Sequence, residues 1–235
     1  MATRSTKAAG ALRTHLEKNE RSCFYLAVRK GAATRAAILE HAVKLARRVG
    51  LEGLSIGRLA EELRLSKSGL FAHFRSKETL QIQVLETAAA RFVAEVVRPA
   101  LGRPRGEPRL TGLFEGWLHW ARSQKTPGGC LFVAAAVELD DRPGPVRRRL
   151  VRLQREWLEL LANAARRAIA EGHFRSDVDA EQFAHDLYAV MLGYHHSSRL
   201  MKDPRAENRA ATAFGRLLDA ARAERPGSSR RRVLG

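Results

Sequence analysis

Residues 54–80 contain the side chains that are best arranged to contact a charged partner. Their pattern predicts two short helices joined by a tight turn, Ile56–Leu63 and Lys67–Phe74, with Ser55 and Ser66 as the N-cap residues. Helices of this length are too short to be stable alone. Their apolar sides must therefore pack against other elements, which leaves the opposite sides available for contacts.

The second of these helices is expected to keep small, basic and hydrogen-bonding side chains at its surface. Its predicted core residues are Leu70, Phe71 and Phe74. Its predicted surface residues are Lys67, Ser68, Ala72 and His73. Such a helix can enter the major groove of DNA with its N-terminal residues at the base edges, and a helix N-terminus attracts phosphate. An ordinary helical hairpin in an all-α core has the same spacing, so the pattern alone leaves both interpretations open.

The order of residues in this stretch resembles the DNA-binding domain of TetR-family transcriptional regulators. The resemblance lies in Ala60-Glu61-Glu62-Leu63, in Leu65-Ser66-Lys67-Ser68 and in Leu70-Phe71-x-His73-Phe74-x-x-Lys77-x-x-Leu80. It covers residues 31–85 closely, whereas beyond them only the general helical pattern agrees.

The resemblance implies a set of side chains that contact DNA. Lys67 and Ser68 match base-contacting positions of the family, and Ser55 matches the hydroxyl residue that caps the first motif helix. The full implied set is Thr34, Ser55, Ser66, Lys67, Ser68, Phe71, His73 and Lys77. Phe71 departs from the usual tyrosine and lacks its hydroxyl group, so a role in the core is an alternative for it. Ala72 departs from a position where a large polar residue is frequent.

The resemblance also implies a function. Regulators of this family bind palindromic operators as homodimers and release DNA when a small molecule occupies the C-terminal domain. We therefore expect a DNA-binding repressor with an unknown small-molecule effector and no cofactor. One alternative is a DNA-bound regulator without an effector. Another is a small all-α enzyme, but the sequence shows no Ser-His-Asp order, HExxH motif or phosphate-binding loop in a supporting context.

A further helix must support the motif. Residues 34–49 carry apolar side chains at helical spacing, and Gly50 follows as a stop signal. The expected anchors of this small three-helix domain are Ile38, Leu45, Ile56, Leu59, Leu63, Leu70 and Phe74. The sequence thus predicts an all-α fold with an N-terminal helix-turn-helix domain at residues 31–78.

The rest of the chain predicts a helical ligand-binding and dimerisation domain at residues 79–225. Ser76 is the expected cap of a long helix that Pro99 ends near Arg98, and residues 102–108 are expected to form a loop. The remaining predicted helices span residues 110–124, 130–139, 145–171, 180–200 and 205–222, with a turn at residues 126–129. Because helix 130–139 is apolar all round, we expect it to be buried. Asp179 is the expected N-cap of the helix that follows it.

The composition fits a basic, globular protein with a polyanionic partner. The 235 residues carry a net charge of +17, with 45% hydrophobic and 29% charged residues. Residues 1–80 hold 16 Lys and Arg against 7 Asp and Glu, so the basic density peaks where the motif lies. Residues 1–30 predict a flexible basic arm that either follows the minor groove or stays solvated. Residues 226–235 predict a disordered tail.

The sequence gives no sign of a membrane segment or a metal site. It has no run of about 18 apolar residues and no signal-peptide pattern, so we expect a cytoplasmic protein. Cys23 and Cys130 are far apart and are expected to be reduced thiols. His195 and His196 are adjacent, so on a helix they point in different directions and do not suggest a shared metal.

Aromatic and polar residues of the second domain suggest an apolar ligand pocket. The candidates are Trp117, His119, Trp120, Cys130, Phe132, Glu138, Trp157, Tyr188, Met191 and His195. Each of them is also compatible with an ordinary place in the core.

The last two predicted helices suggest a dimer. Each carries a wide apolar stripe near the end of the chain, and no later element is available to cover it. Two copies would pair these helices in a four-helix bundle and set the recognition helices one DNA turn apart. The alternative is that the stripes complete the core of the single chain.

Overall fold

The computed structural model describes residues 34–123 and 129–223 of the chain. The predicted N-terminal arm, most of the turn at 126–129 and the C-terminal tail lie outside the described residues. The described residues form helices in an all-α architecture, as predicted. None of the described helices is both long and apolar enough to cross a lipid bilayer.

The N-terminal unit consists of three helices. They are α1 (34–49), α2 (Ile56–Leu63) and α3 (Lys67–Phe74), and α4 (Lys77–Phe92) leads away from them. The predicted bounds of α2 and α3 and the predicted end of α1 at residue 49 are confirmed. A π-helical turn (Val93–Val97) continues α4 into the short helix α5 (Arg98–Leu101).

The second part of the chain consists of five further helices. They are α6 (Glu107–Ser123), α7 (Leu131–Leu139), α8 (Pro145–Ala170), α9 (Ala180–Arg199) and α10 (Ala206–Ala221). The first of them begins three residues earlier than predicted, which shortens the preceding loop. The other predicted bounds are confirmed to within one or two residues.

Side-chain caps define where four helices begin. Ser55 Oγ accepts a hydrogen bond from the amide of Arg58 at 3.1 Å, and Ser66 Oγ accepts one from the amide of Gly69 at 3.1 Å. Ser76 caps α4 in the same way, and Asp179 caps α9. These contacts satisfy amide groups that have no partner within the helix. All four predicted N-caps are confirmed.

The prediction that Pro99 ends the long helix is wrong. The helical path continues through Pro99 to Leu101 and stops at Gly102. A proline ring normally clashes with the carbonyl group of the preceding turn. The π-helical turn ends at Val97, two residues before Pro99, and its wider hydrogen-bond spacing gives the proline ring more room. A local change of helix type therefore replaces the expected break.

Two clusters of buried side chains hold the helices together. The first joins side chains of α1 to α4 with Leu131, Ala135 and Leu139 of α7 and with Val146 and Leu150 of α8. The second joins the π-helical turn and α5 with α6, α8, α9 and α10. The core of the N-terminal unit therefore extends into helices that belong to the C-terminal part of the sequence.

Most predicted anchors of the N-terminal unit are buried, but Phe71 is not in the core. Leu70 and Phe74 are 1% and 0% exposed, whereas Phe71 is 57% exposed. Positions i and i+4 of a helix share a face, and position i+1 points about 100° away. Since α3 buries one narrow face, Phe71 remains at the surface. Ile56 and Leu63 are only partly buried.

The expected burial of α7 on all sides is also wrong. Leu131, Ala135 and Leu139 are buried, but Val137 is 74% exposed. One side of α7 packs on the first cluster, so its remaining apolar residues face a cavity or solvent. Apolar composition alone does not distinguish these two surroundings.

The apolar stripes of α9 and α10 are covered within the single chain. Phe214 of α10 stacks on Phe114 of α6 at 4.2 Å between ring centroids, and Tyr194 of α9 packs edge-on against Trp117 at 5.8 Å. The prediction that no other element of the chain covers these stripes is therefore wrong, because α6 and α8 cover them. The stripes complete the core of the second cluster.

Gln81 is the buried polar side chain of the core among residues 34–123 and 129–223. It lies on α4 and is 2% exposed. Its Nε2 donates to the carbonyl oxygen of Leu51 at 2.6 Å. The bond holds the connection between α1 and α2 against α4, so it fixes the position of the motif relative to the long helix.

We predict that Gln81→Leu lowers the free energy of unfolding by about 1–3 kcal/mol, because the buried Leu51 carbonyl loses its partner. Urea denaturation followed by circular dichroism measures the change. Gln182→Leu, at an exposed position of α9, is the matched control and should stay within about 0.5 kcal/mol of the wild type. Equal effects of the two substitutions would contradict a structural role for Gln81.

Candidate nucleic-acid interface and ligand cavity

The N-terminus of α3 presents a compact group of polar side chains. Ser66 Oγ accepts the amide hydrogen of Gly69, and Ser68 Oγ lies 3.4 Å from Ser66 Oγ as a donor. Lys67 and Ser68 are exposed. The free amide groups of a helix N-terminus carry partial positive charge. This end of α3 therefore combines hydrogen-bond donors, a cation and a favourable dipole for an anionic ligand.

Lys67 lies beside the start of α2. A β-carbon added to Gly57 would lie 3.5 Å from Lys67 Cε and 3.8 Å from its Nζ. The small residue at 57 thus lets the lysine stem rest along α2 while its ammonium group stays at the surface. The two motif helices converge here, so their N-termini and the lysine form one positive region.

The other predicted DNA contacts surround this region with different exposure. Thr34 is exposed at the start of the described part of α1, and Ser55 is half-buried at its cap position. His73 is half-buried, with its ring centroid 6.2 Å from that of Phe74. Phe71 offers an exposed aromatic ring. The structure thus places these side chains at or near the surface of the three-helix unit.

Lys77 is partly engaged in contacts within the protein. Its Nζ donates to the carbonyl oxygen of Glu52 at 2.7 Å and lies 3.4 Å from a carboxylate oxygen of the same residue. Its side chain is nevertheless 44% exposed. Lys77 therefore ties α4 to the connection between α1 and α2, in addition to any contact with phosphate.

Sequence reasoning missed three exposed arginines at the ends of the motif helices. They are Arg58 in α2, Arg64 directly after it and Arg75 directly after α3. Their proximity to the predicted helix ends was a usable signal, since helix-turn-helix proteins contact the DNA backbone from such positions.

The second part of the chain contains an apolar cavity of about 230 Å³ between α4, α6, α7, α8 and α9. Five of the predicted pocket residues line it: Trp117, Cys130, Phe132, Trp157 and Tyr188. The lining residues that sequence reasoning did not select are Ala89, Phe92, Val93, Val97, Val133, Leu153, Gln154, Glu156 and Leu160. Many of these lie on α4 and α8, where helical periodicity alone does not distinguish the core from a cavity wall.

The other predicted pocket residues do not line this cavity. Trp120 and Met191 are buried in the second cluster, where they pack against neighbouring helices. His195 Nε2 accepts the amide hydrogen of Cys130 at 3.4 Å, so it supports the start of α7 from outside the cavity. Burial lowers the pKa of His195. His119 is exposed, and Glu138 lies on α7 away from the cavity.

The aromatic rings around the cavity are arranged about Phe92. Its centroid lies 4.9 Å from Trp157 and 5.6 Å from Trp120, both edge-on. Phe132 follows at 6.4 Å with an interplanar angle of 75°. Edge-to-face contacts of this kind are favourable and directional. They hold the walls of the cavity in a defined shape.

Two polar side chains form a single hydrogen-bonded pair in the wall. Tyr188 donates its hydroxyl hydrogen to Gln154 Oε1 at 2.8 Å, and Gln154 Nε2 lies 3.5 Å from the carbonyl oxygen of Phe132. Burial raises the pKa of Tyr188 to about 12. Burial also raises the pKa of the Cys130 thiol. Both groups are therefore neutral near pH 7.

The described residues contain no group of three His, Cys, Asp or Glu side chains that could hold a metal ion. Cys130 is a free, buried thiol. Cys23 lies outside the described residues.

Comparisons with known proteins agree with this arrangement. The family described as bacterial regulatory proteins, tetR family, matches residues 38–84, and the family described as tetracyclin repressor-like, C-terminal domain, matches residues 106–214. Together they cover about two thirds of the chain. No curated protein matches it.

Several solved structures share the fold. A TetR-family regulator from Cytophaga hutchinsonii has a TM-score of 0.75 at 20% identity, covering 83% of this chain and 98% of its own. A TetR regulator from Chloroflexus aurantiacus has a TM-score of 0.70 at 26% identity, covering 83% of this chain and 100% of its own. AibR in complex with isovaleryl coenzyme A and operator DNA has a TM-score of 0.61 at 22% identity, covering 78% of this chain and 98% of its own.

The two family matches lie where the structure places the helix-turn-helix unit and the helices around the cavity. The chain belongs to the TetR family of DNA-binding transcriptional regulators.

Proposed function

We propose that the protein is a homodimeric repressor that binds a palindromic operator and releases it when a small molecule occupies the cavity. The observation that carries the proposal is that α4 and α7 each take part in both the cavity and the core of the DNA-binding unit. Both line the cavity, and both contribute buried side chains to the core of the DNA-binding unit. A ligand that moves these helices must also move that unit.

The proposed DNA contacts divide into two kinds. Lys67 and Ser68, at the front of α3, are proposed to contact base edges in the major groove, where lysine commonly pairs with guanine. Ser66, His73 and Lys77 are proposed to contact phosphates, which fix orientation without reading sequence. The exposed ring of Phe71 suits an apolar contact, such as one with a thymine methyl group.

The proposed dimer uses the outer faces of α9 and α10 instead of the stripes that are buried inside the chain. Leu192 of α9 is 37% exposed, and Ala189 and Gly193 lie exposed near it. A β-carbon added to Gly193, or to Gly215 of α10, would meet no atom within 4 Å. These open faces of small residues allow close approach of helices from a second copy. A two-fold axis there would present two recognition helices to the half-sites of a palindrome.

Effector release is proposed to act through α7 as well as through α4. Cys130, Phe132 and Val133 line the cavity. On the same helix, Glu138 accepts the amide hydrogen of Glu52 at 2.8 Å. Arg47 of α1 donates to the carbonyl oxygen of Gly129, just before α7, at 2.8 Å.

A ligand in the cavity would therefore press on a helix that is bonded to α1 and to the connection between α1 and α2. Release is a shift in populations and requires the effector to prefer the conformation that does not bind DNA. AibR, which has been seen with both isovaleryl coenzyme A and operator DNA, shows that one protein of this fold binds both kinds of partner.

We predict that Lys67→Ala weakens binding to the operator by about 1–3 kcal/mol and changes binding to random DNA little, because it removes a base contact. Lys77→Ala should weaken binding to all duplexes and reduce the salt slope by about one. Fluorescence anisotropy over a range of salt concentrations, with DNA flanking the protein's own gene and a scrambled duplex, measures both effects.

Three controls accompany this experiment. Arg105→Ala removes one exposed charge from the loop before α6, so it tests the effect of net charge alone. Lys77→Arg keeps the charge and should restore the salt slope. Urea denaturation of Lys77→Ala reports any loss of stability from its bond to Glu52. Equal losses on operator and random DNA for both alanine variants would refute the division of roles.

We predict that Glu138→Leu reduces the coupling between effector and operator by about 0.5–2 kcal/mol, because α7 loses its bond to the connection between α1 and α2. The coupling is measured as the ratio of operator affinities with and without a saturating effector. Glu138→Gln retains an acceptor oxygen and should behave like the wild type. Unchanged coupling in Glu138→Leu would exclude this route.

A further inference from the structure

The size of the cavity limits the part of a ligand that it can enclose. Its volume of about 230 Å³ exceeds that of an engineered apolar cavity of about 150 Å³ that binds benzene. One or two aromatic rings can therefore be enclosed, whereas a large cofactor-like molecule cannot be enclosed as a whole. The rings of Phe92, Phe132 and Trp157 form flat apolar walls that favour a flat ligand.

The charges around the cavity also limit its ligand. None of its lining residues is lysine, arginine or histidine. Its one acidic lining residue, Glu156, has a side chain that is 64% exposed and lies 3.5 Å from Arg149. A buried carboxylate on the ligand would find no cation among these lining residues, and a buried ammonium group would find no desolvated anion among them. Burying an unpaired charge is strongly unfavourable.

The ionisable groups in the wall of the cavity also indicate that it favours uncharged groups. Burial is the largest cause that raises the pKa of both Cys130 and Tyr188, so the surroundings disfavour their anions. A ligand anion would experience the same loss of hydration.

The pair of Gln154 and Tyr188 provides a polar contact for a neutral oxygen. Tyr188 uses its hydroxyl hydrogen on Gln154, so the lone pairs of its oxygen remain able to accept. The Nε2 group of Gln154 carries two hydrogens and makes one long contact, at 3.5 Å, with the carbonyl oxygen of Phe132. A ligand hydroxyl can donate to Tyr188 and accept from Gln154, and a ligand carbonyl can accept from Gln154.

We infer that the effector is an uncharged aromatic compound of one or two rings that carries a hydroxyl or carbonyl oxygen. The inference rests on the proposed function, since it takes this cavity as the effector site. The aromatic walls enclose the rings, and the Gln154–Tyr188 pair binds the oxygen.

Four naphthalene probes test the class of ligand by isothermal titration calorimetry with the full-length protein: 1-naphthol, naphthalene, 1-naphthoate and 1-naphthylmethylammonium. We expect 1-naphthol to bind in the micromolar range, and naphthalene about threefold to tenfold more weakly because it lacks one hydrogen-bonding group. The two charged probes should bind at least about a hundredfold more weakly than 1-naphthol. Equal or tighter binding of either charged probe overturns the inference, as does failure of all four to bind at concentrations up to the solubility limit of each.

Two matched variants test whether 1-naphthol binds in the cavity. Val93→Trp fills the edge of the cavity and should abolish binding of 1-naphthol. Val137→Trp adds the same side chain at an exposed position of α7 that does not line the cavity, and it should bind like the wild type. Binding that survives Val93→Trp unchanged places the probe elsewhere and overturns the inference.

The double variant Tyr188→Phe/Gln154→Leu tests the polar contact. Replacing both partners with apolar groups of similar shape is close to neutral for stability. We expect it to lower the affinity for 1-naphthol about threefold to tenfold and to leave that for naphthalene unchanged. An unchanged preference for 1-naphthol over naphthalene overturns the assigned role of the pair.

Operator release is measured separately, so the two proposals can fail independently. Release by 1-naphthol and not by the charged probes supports both. Release caused by a charged probe would leave the proposed function standing and overturn the ligand class. Failure of the unliganded protein to bind any operator would reject the proposed function, whereas the calorimetry would still decide which ligands the cavity accepts.

Discussion

The presentation of α3 depends on the burial of Leu70 and Phe74. The helix is too short to be stable alone, so these two side chains fix it against the core formed by α1, α2 and α4. With one narrow face buried, the cap residues, Lys67 and the ring of Phe71 remain at the surface. The position of α3 is thus only as well defined as the core beneath it.

That core does not end with the DNA-binding unit. Leu131 and Leu139 of α7 belong to the same buried cluster, and Glu138 bonds to the amide of Glu52. Glu52 also contacts Lys77 and Arg142, so the connection between α1 and α2 links three parts of the chain. Because α7 also lines the cavity, a displacement of α7 would change the support of the motif. Two packed helices, α4 and α7, thus connect the DNA-binding unit with the cavity in this protein.

The features that could be predicted from the sequence are those that depend on neighbouring residues. Caps such as Ser55 and Ser66, the bounds of α2 and α3, the end of α1 and the capped start of α4 follow local rules. The wrong predictions concern features that depend on contacts between distant parts of the chain. The π-helical turn let the chain pass Pro99, and the narrow buried face of α3 left Phe71 exposed. Aromatic residues identified the region of the cavity, but Trp120 and Met191 belong to the core, and Gln154 could not be selected before its contact with Tyr188 was known.

In the proposed complex, two copies of α3 contact one duplex in a symmetric assembly. Hydroxyl-radical footprinting on the DNA that flanks the protein's own gene tests it most directly. We expect two protected segments whose centres are roughly 34–36 Å apart along the helix axis. Uniform protection of the fragment, or no protection beyond that of a scrambled duplex at moderate salt, would contradict it.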